Sequence, residues 1–219
     1  MTSSFPQSPR LIKGGIVLID PKTSAVRRII PLQYNPDTIS RTIEVKGTES
    51  GGQGERSEPL RLTGPPVETI TLEAEIDATD ALEDGDALAG EVGLAAHLAA
   101  LETILYPESE RLTANNRLAG LGTLEITPME APLTLFVWNR NRLMPARITQ
   151  LQITEEAFDP ALNPIRAKIS LGLRVLSVTD LGFDHKGGSL YMIYQQQKER
   201  LAERHPGGDL GVLGIGEIP

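Results

Sequence analysis

The sequence predicts a mainly β protein: an antiparallel β-barrel or sandwich of about seven or eight strands, with one flanking α-helix and a C-terminal helix. Three observations carry that expectation. Residues 69–77 alternate Ile70, Leu72, Ala74 and Ile76 against Thr69, Thr71, Glu73, Glu75 and Asp77, the period of two that a half-buried strand requires. Residues 132–178 hold three apolar runs joined by short polar turns, the pattern of an antiparallel meander. Leu94, Leu98, Leu101 and Leu105 recur at helical spacing before Pro107, which marks residues 93–105 as the one internal helix.

The other elements follow in chain order. Residues 1–14 are expected to form a flexible tail, polar and carrying Pro6 and Pro9. Two β-branched runs, 15–20 and 25–33, flank Asp20-Pro21-Lys22-Thr23-Ser24 and read as a hairpin. After the break at Asn35-Pro36-Asp37, Ile39, Arg41, Ile43 and Val45 share one face of a strand, with Ser40, Thr42 and Glu44 on the other. Residues 47–66 are rich in Gly, Glu, Ser and Pro and read as a long loop of the kind that orders on a partner. Residues 82–90 are acidic and Gly-broken, 108–122 read as a second loop, and 124–127 as a short strand.

Within the meander, strands at 133–139 and 143–155 flank Arg140-Asn141-Arg142, and two prolines mark a turn at 158–164. Residues 165–178 alternate Ala167, Ile169, Leu171, Leu173 and Val175 against Arg166, Lys168, Ser170, Gly172 and Arg174. A linker at 182–188, a helix at 190–204 and a Gly-spaced apolar tail at 211–219 complete the chain. The domain reading is therefore a tail at 1–14, a β domain at 15–180, and a C-terminal segment at 181–219.

Composition narrows the function. The 219 residues are 40% hydrophobic but only 4% aromatic, so Val, Ile, Leu and Ala must fill the core. A formal net charge of −8 argues against nucleic acid or an anionic membrane surface as the main partner. Without cysteine there is no disulfide, thiolate nucleophile or Cys-based metal site. No basic segment followed by an apolar run opens the chain, and no apolar stretch approaches the roughly 20 residues that span a bilayer. The expectation is a cytoplasmic protein without membrane insertion.

Catalytic patterns are missing. His97, His185 and His205 do not stand at metal-ligand spacing. There is no nucleophile-elbow serine, and Gly187-Gly188-Ser189 lacks the lysine of a phosphate loop. Asp77, Asp80, Glu83, Asp84 and Asp86 do not match the calcium-loop spacing. No catalytic, metal or cofactor site is assigned. Two places stand out: Gln33-Tyr34-Asn35-Pro36, where a strand runs into an Asn-Pro turn, and Trp138, the single tryptophan. Each aromatic reads either as a core residue with a polar handle or as an interface anchor.

Those same residues carry a resemblance. Leu32-Gln33-Tyr34-Asn35-Pro36 followed by Thr38-Ile39-Ser40-Arg41, then the strand Pro132 to Trp138 followed by Ala146-Arg147-Ile148, resemble the tube-like protein family of phage-tail-like contractile injection systems. Phe158-Asp159-Pro160 with Asn163-Pro164-Ile165-Arg166-Ala167-Lys168 is similar to the family's F-D-x-x-G-x-P-x-R-A signature. Asn163 stands near the signature's glycine, and since Asn tolerates positive φ the turn is expected to be unchanged.

The resemblance covers residues 15–178 and implies a tail-tube-like β fold in a hexameric ring at the baseplate. The implied partners are an inner tube protein, a spike protein and other baseplate subunits. Longer members carry a C-terminal LysM module, of which residues 179–219 show no pattern. The interaction residues expected on this reading are Gln33, Tyr34, Asn35, Pro36, Trp138, Phe158, Asp159, Pro160, Arg166, Lys168 and Arg174. Two other readings compete: a free-standing β-barrel that binds an apolar ligand, and a hydrolase using Glu73 and Glu75. Carboxylate pairs on strands are common without catalysis, which weighs against the second.

Overall fold

The computed structural model describes residues 12–46, 62–120 and 132–218. The expectations for 1–11, for 47–61 and for a strand at 124–127 lie outside the described residues. The described residues form one seven-stranded antiparallel sheet in the order β2-β1-β5-β6-β7-β4-β3. β1 (Gly15–Ile19) and β2 (Val26–Pro31) are the expected hairpin. Its turn is organised by Asp20, whose Oδ1 accepts from the backbone N–H groups of Lys22 and Thr23. β3 (Ile39–Glu44) pairs with β4 (Val67–Asp77), and β5 (Leu133–Asn139), β6 (Arg142–Phe158) and β7 (Pro164–Val175) form the expected meander.

β6 joins two halves of the sheet. Through Pro145 it pairs with β5; from Ala146 onward it pairs with β7. Proline offers no N–H to a ladder, so the changeover is a place where it does little harm. The register then shifts after Ile148 and again between Glu155 and Phe158, and such bulges bend a strand. Gly172 faces the first of them: a Cβ there would stand 3.2 Å from the Cβ of Gln150, so glycine admits the close approach.

The bend curls the sheet until its two ends share a core. Ile30 and Leu32 from the β2 end and Leu72, Ala74 and Ile169 from the other half line one small internal cavity. Inward alternation on β4 and β7 supplies the rest, with Ile70, Ile76, Leu171, Leu173 and Val175 all buried. The mainly β class is as expected, but the closure is different. β2 and β3 are edges that do not pair with each other, so the sheet is open.

Between β4 and β5 lie α1 (Thr79–Glu83), α2 (Ala87–Val92), α3 (Ala95–Glu102) and α4 (Ser109–Gly120), where a single internal helix was expected. α3 is that helix, and Leu94, Leu98 and Leu101 reach the core. The acidic, Gly-broken stretch at 82–90 is in fact partly helical. It contains part of α1 and most of α2, because Asp86 caps α2 by accepting from the N–H of Ala89 at 2.9 Å. The expected loop at 108–122 is largely α4. None of its residues is buried, so it has no apolar stripe for a periodicity argument to find.

At the C-terminal end, α5 (Val178–Leu181) leads to α6 (Lys186–Glu203), which takes in part of the expected linker at 182–188. His185 caps α6, its ring nitrogen accepting from the N–H of Gly187 at 3.0 Å. A 3-10 turn at Leu210–Leu213 lies at the start of the stretch read as a Gly-spaced apolar tail. Gly187 and Gly188 are buried where α6 meets the α5 end. A Cβ at Gly188 would stand 1.9 Å from the carbonyl oxygen of Gly182. The Gly188→Ala variant is therefore expected to lose about 1–3 kcal/mol through overpacking, which lowers the melting temperature by roughly 3–10 °C. Calorimetry of the two proteins checks this, and an unchanged melting temperature would contradict the close approach.

Candidate functional site

The strongest polar constellation is one the sequence reading did not single out. Glu68 lies on the inward face of β4, in phase with Ile70 and Leu72, and is 3% exposed. Its Oε1 accepts from the hydroxyl of Tyr194 at 2.8 Å, and its Oε2 accepts from the ammonium of Lys198 at 2.8 Å. The Arg41 guanidinium stands 3.7 Å from Oε1. Lys198 also lies over the Tyr194 ring, 4.1 Å from its centroid. Burial, then the bond to Glu68, push the Tyr194 hydroxyl well above the ordinary tyrosine value, so it stays a donor. Extending the alternation of residues 69–77 back by one step places a glutamate on the apolar face, and that was the available signal.

The turn after β2 is held by its amides. Gln33 donates from Nε2 to the carbonyl of Asp77 at 2.6 Å and accepts at Oε1 from the N–H of Asp77 at 2.7 Å. Asn35 accepts from the N–H of Gly14 at 3.0 Å and donates to the carbonyl of Ile12 at 2.8 Å. Both amides are spent inside the chain. Tyr34 between them is exposed, and with Pro36 it borders an open groove of about 490 Å³ over Glu73, Glu75 and Lys168.

The outward face of β7 does not offer free cations. Arg166 Nε bonds Asp77 at 2.8 Å, Lys168 bonds Glu156 at 2.7 Å and Arg174 bonds Asp180 at 2.7 Å. The register places Lys168 opposite Glu75 and Ser170 opposite Glu73, so the two glutamates stand on this same exposed face. Trp138 is half-buried. It stacks on Phe136 with centroids 6.4 Å apart and closely contacts Gly14, where a Cβ would come within 2.7 Å of the ring.

The turn at Phe158–Pro164 is built on Asp159. Its Oδ1 accepts from the N–H groups of Ala161 and Asn163, each at 2.8 Å, and its Oδ2 from the Asn163 side chain at 2.8 Å. Asn163 also donates to the carbonyl of Glu91 at 3.1 Å, tying the turn to α2. Positive φ falls at Leu162 (φ 66), not at Asn163 as expected. Counting along F-D-x-x-G-x-P from Phe158 puts the glycine position at Leu162, where the left-handed backbone disfavours a side chain. Phe158 and Pro160 are exposed, and Leu162 more so at 79%.

Two structural facts bear on chemistry. Among the described residues no three His, Cys, Asp or Glu gather as metal ligands. Among them, no helix is long and apolar enough to cross a membrane. His97 and His205 are exposed, and His205 accepts from the N–H of Gly207 at 3.1 Å.

The sequence model of one family, described as contractile injection system tube protein, matches residues 16–179. The chain belongs to that family. A search of curated proteins finds no match. The matched span runs from β1 into α5, so the whole sheet, the Asp159 turn and Glu68 belong to the tube-protein unit, and the partners of Glu68 on α6 lie just beyond it. Membership makes this tube protein a structural component of a contractile injection system, assembled with other components of that system.

Two predictions follow from the tube protein's polar anchors. The Tyr194→Phe variant removes one donor from a buried carboxylate and is expected to cost about 1.5–3 kcal/mol in thermal or urea unfolding. A loss below about 0.5 kcal/mol would mean that Glu68 is satisfied without the Tyr194 hydroxyl. For Asp159, the side-chain and then the backbone donors of Asn163 hold the carboxyl below its ordinary value. A depressed folded pKa stabilises above the unfolded value near about 3.9 and is lost as pH falls through the folded one. The gap in melting temperature between wild type and Asp159→Asn should accordingly be full at neutral pH and close as pH drops below about 4. A gap that widens in acid would reverse that sign.

Proposed function

We propose that this tube protein forms a homo-hexameric ring at the baseplate, joining the inner tube to the spike in a particle assembled in the cytoplasm. Its partners on this reading are the inner tube protein, the spike protein and other baseplate subunits, and its role is non-enzymatic. Residues 15–180 are the ring-forming unit, and 181–219 brace it from one side. Tyr34, Pro36, Trp138, Phe158, Pro160 and the β7 face are assigned to contacts, with Gln33, Asn35 and Asp159 shaping the turns that present them.

Beside the family itself, the state of the two edge strands supports this reading. β2 and β3 have no partner on their outer sides among the described residues, and Val26, Ile29 and Ile43 are 58%, 64% and 48% exposed. Charges usually blunt such edges. Here Arg27 is turned to Asp20, and Arg28 to Thr103 and the carbonyl of Ala100. In a ring, head-to-tail contacts cover both edges and supply the barrel-like closure that the isolated sheet lacks. A free-standing copy of this open sheet would leave them open to aggregation.

Electron microscopy of the intact particle tests the proposal. Density for this chain is expected as a sixfold ring between tube and spike, and density elsewhere would overturn it. The Ile29→Lys, Ile43→Lys double variant should shift stability by only about 0.5 kcal/mol per site, since both sites are exposed, while abolishing incorporation into particles.

A further inference from the structure

A cavity of about 300 Å³ lies between β3–β4 on one side and β5–β6 on the other, with Tyr194 of α6 in its wall. That volume is at the lower end of what small-ligand sites occupy, roughly 300–1,000 Å³. Phe136, Met144 and Ile70 form a buried apolar wall, and Trp138 stacks on Phe136 beside them. The exposed part of the lining is cationic: Arg41 from β3 and Arg142 from the start of β6.

These two guanidiniums differ from the cations of the β7 face. The Arg142 guanidinium makes no ion pair or hydrogen bond among the described residues. Arg41 is ion-paired to the Glu68 carboxylate at 3.7 Å, beyond hydrogen-bond distance, and the two Glu68 oxygens take their hydrogen bonds from Tyr194 and Lys198, so most of the Arg41 donors are unspent on Glu68. Among the described residues, then, two cations flank the cavity, one with no ion pair and one with only a loose pair, in a chain of net charge −8.

We infer that this cavity binds an apolar carboxylate: a carboxylate carried on an aliphatic or aromatic body. The guanidinium fork matches a carboxylate bidentately. The apolar body lies against Trp138 and Phe136, where burial removes it from water. A neutral ligand of the same shape would leave both guanidiniums unmatched. The carboxylate has two possible sources of the same chemistry, a free small acid or the end of a partner polypeptide finishing in an apolar residue. The inference does not depend on the ring proposed above.

Trp138 is the only tryptophan, so intrinsic fluorescence of the full chain reads this cavity directly. The probes are 4-phenylbutyrate, the neutral 4-phenylbutanol, and a short peptide ending in phenylalanine with either a free or an amidated terminus. A saturable Trp138 response to the acid is expected, with the alcohol at least about tenfold weaker. Arg142→Gln should weaken the acid by about tenfold or more while leaving the near-ultraviolet circular dichroism native, since Arg142 is exposed and its guanidinium has no partner among the described residues. Tighter binding of the free-terminus peptide than of the acid points to a polypeptide source, and the reverse to a small molecule. Equal responses to acid and alcohol, no saturable response, or an Arg142→Gln variant that binds as wild type would each overturn the inference.

Discussion

The buried carboxylate of Glu68 sets the arrangement of this protein. A carboxylate at 3% exposure is tolerated only when hydrogen-bonded and charge-matched, and both hydrogen-bond donors come from α6, more than a hundred residues along the chain, with Arg41 of β3 at 3.7 Å. β4 therefore cannot bury its inward face without the helix. Tyr194, 1% exposed, brings aromatic area into the core and a hydroxyl to the carboxylate with one side chain. Lys198, one turn further, brings the compensating charge and lies on the same ring. The helix position follows from this spacing, and the buried glycines at 187 and 188 let its first turn close against α5.

A second constraint acts at the opposite end of β4. There the Gln33 side chain makes the two hydrogen bonds with Asp77 that a neighbouring strand would otherwise make. One amide thus substitutes for a missing ladder and holds the β2 end against β4 without closing the sheet. Pro145 and the bulges of β6 supply the bend that brings those ends together. Curl, latch and helix anchor are separate devices with a common result: one core enclosed by an open sheet.

Much of this was legible in the sequence, for identifiable reasons. β4 and β7 alternate without interruption, so their faces could be read residue by residue, and the meander was marked by turn residues with direct mechanisms. α4 was not legible because it buries nothing, and a helix without an apolar stripe leaves no period. The short helices at Thr79–Glu83 and Ala87–Val92 hide behind an acidic composition that suggests a loop, although Asp86 is a good cap. Glu68 was missed because one charged residue ahead of an apolar alternation looks like the strand's end. The cation pairing on β7 was out of reach for a different reason: Asp77 lies 89 residues before Arg166, and Asp180 sits just beyond β7 in α5, so only the fold brings them together.

That pairing changes where recognition can take place. A cation already bonded to a carboxylate contributes little to a partner, since binding must first break or share an existing pair at a solvent-exposed site. Arg166, Lys168 and Arg174 are in that condition, so the β7 face presents a nearly neutral ladder rather than a basic stripe. Arg41 and Arg142 differ: Arg41 pairs with Glu68 at 3.7 Å without a hydrogen bond to it, and the Arg142 guanidinium has no ion-pair partner among the described residues. The helix that stabilises β4 thereby leaves a guanidinium underused beside an aromatic cavity. Glu68 is thus where the helix anchor and the cavity wall meet: Tyr194 and Lys198 take its hydrogen bonds, and Arg41 stands 3.7 Å from it at the cavity's edge.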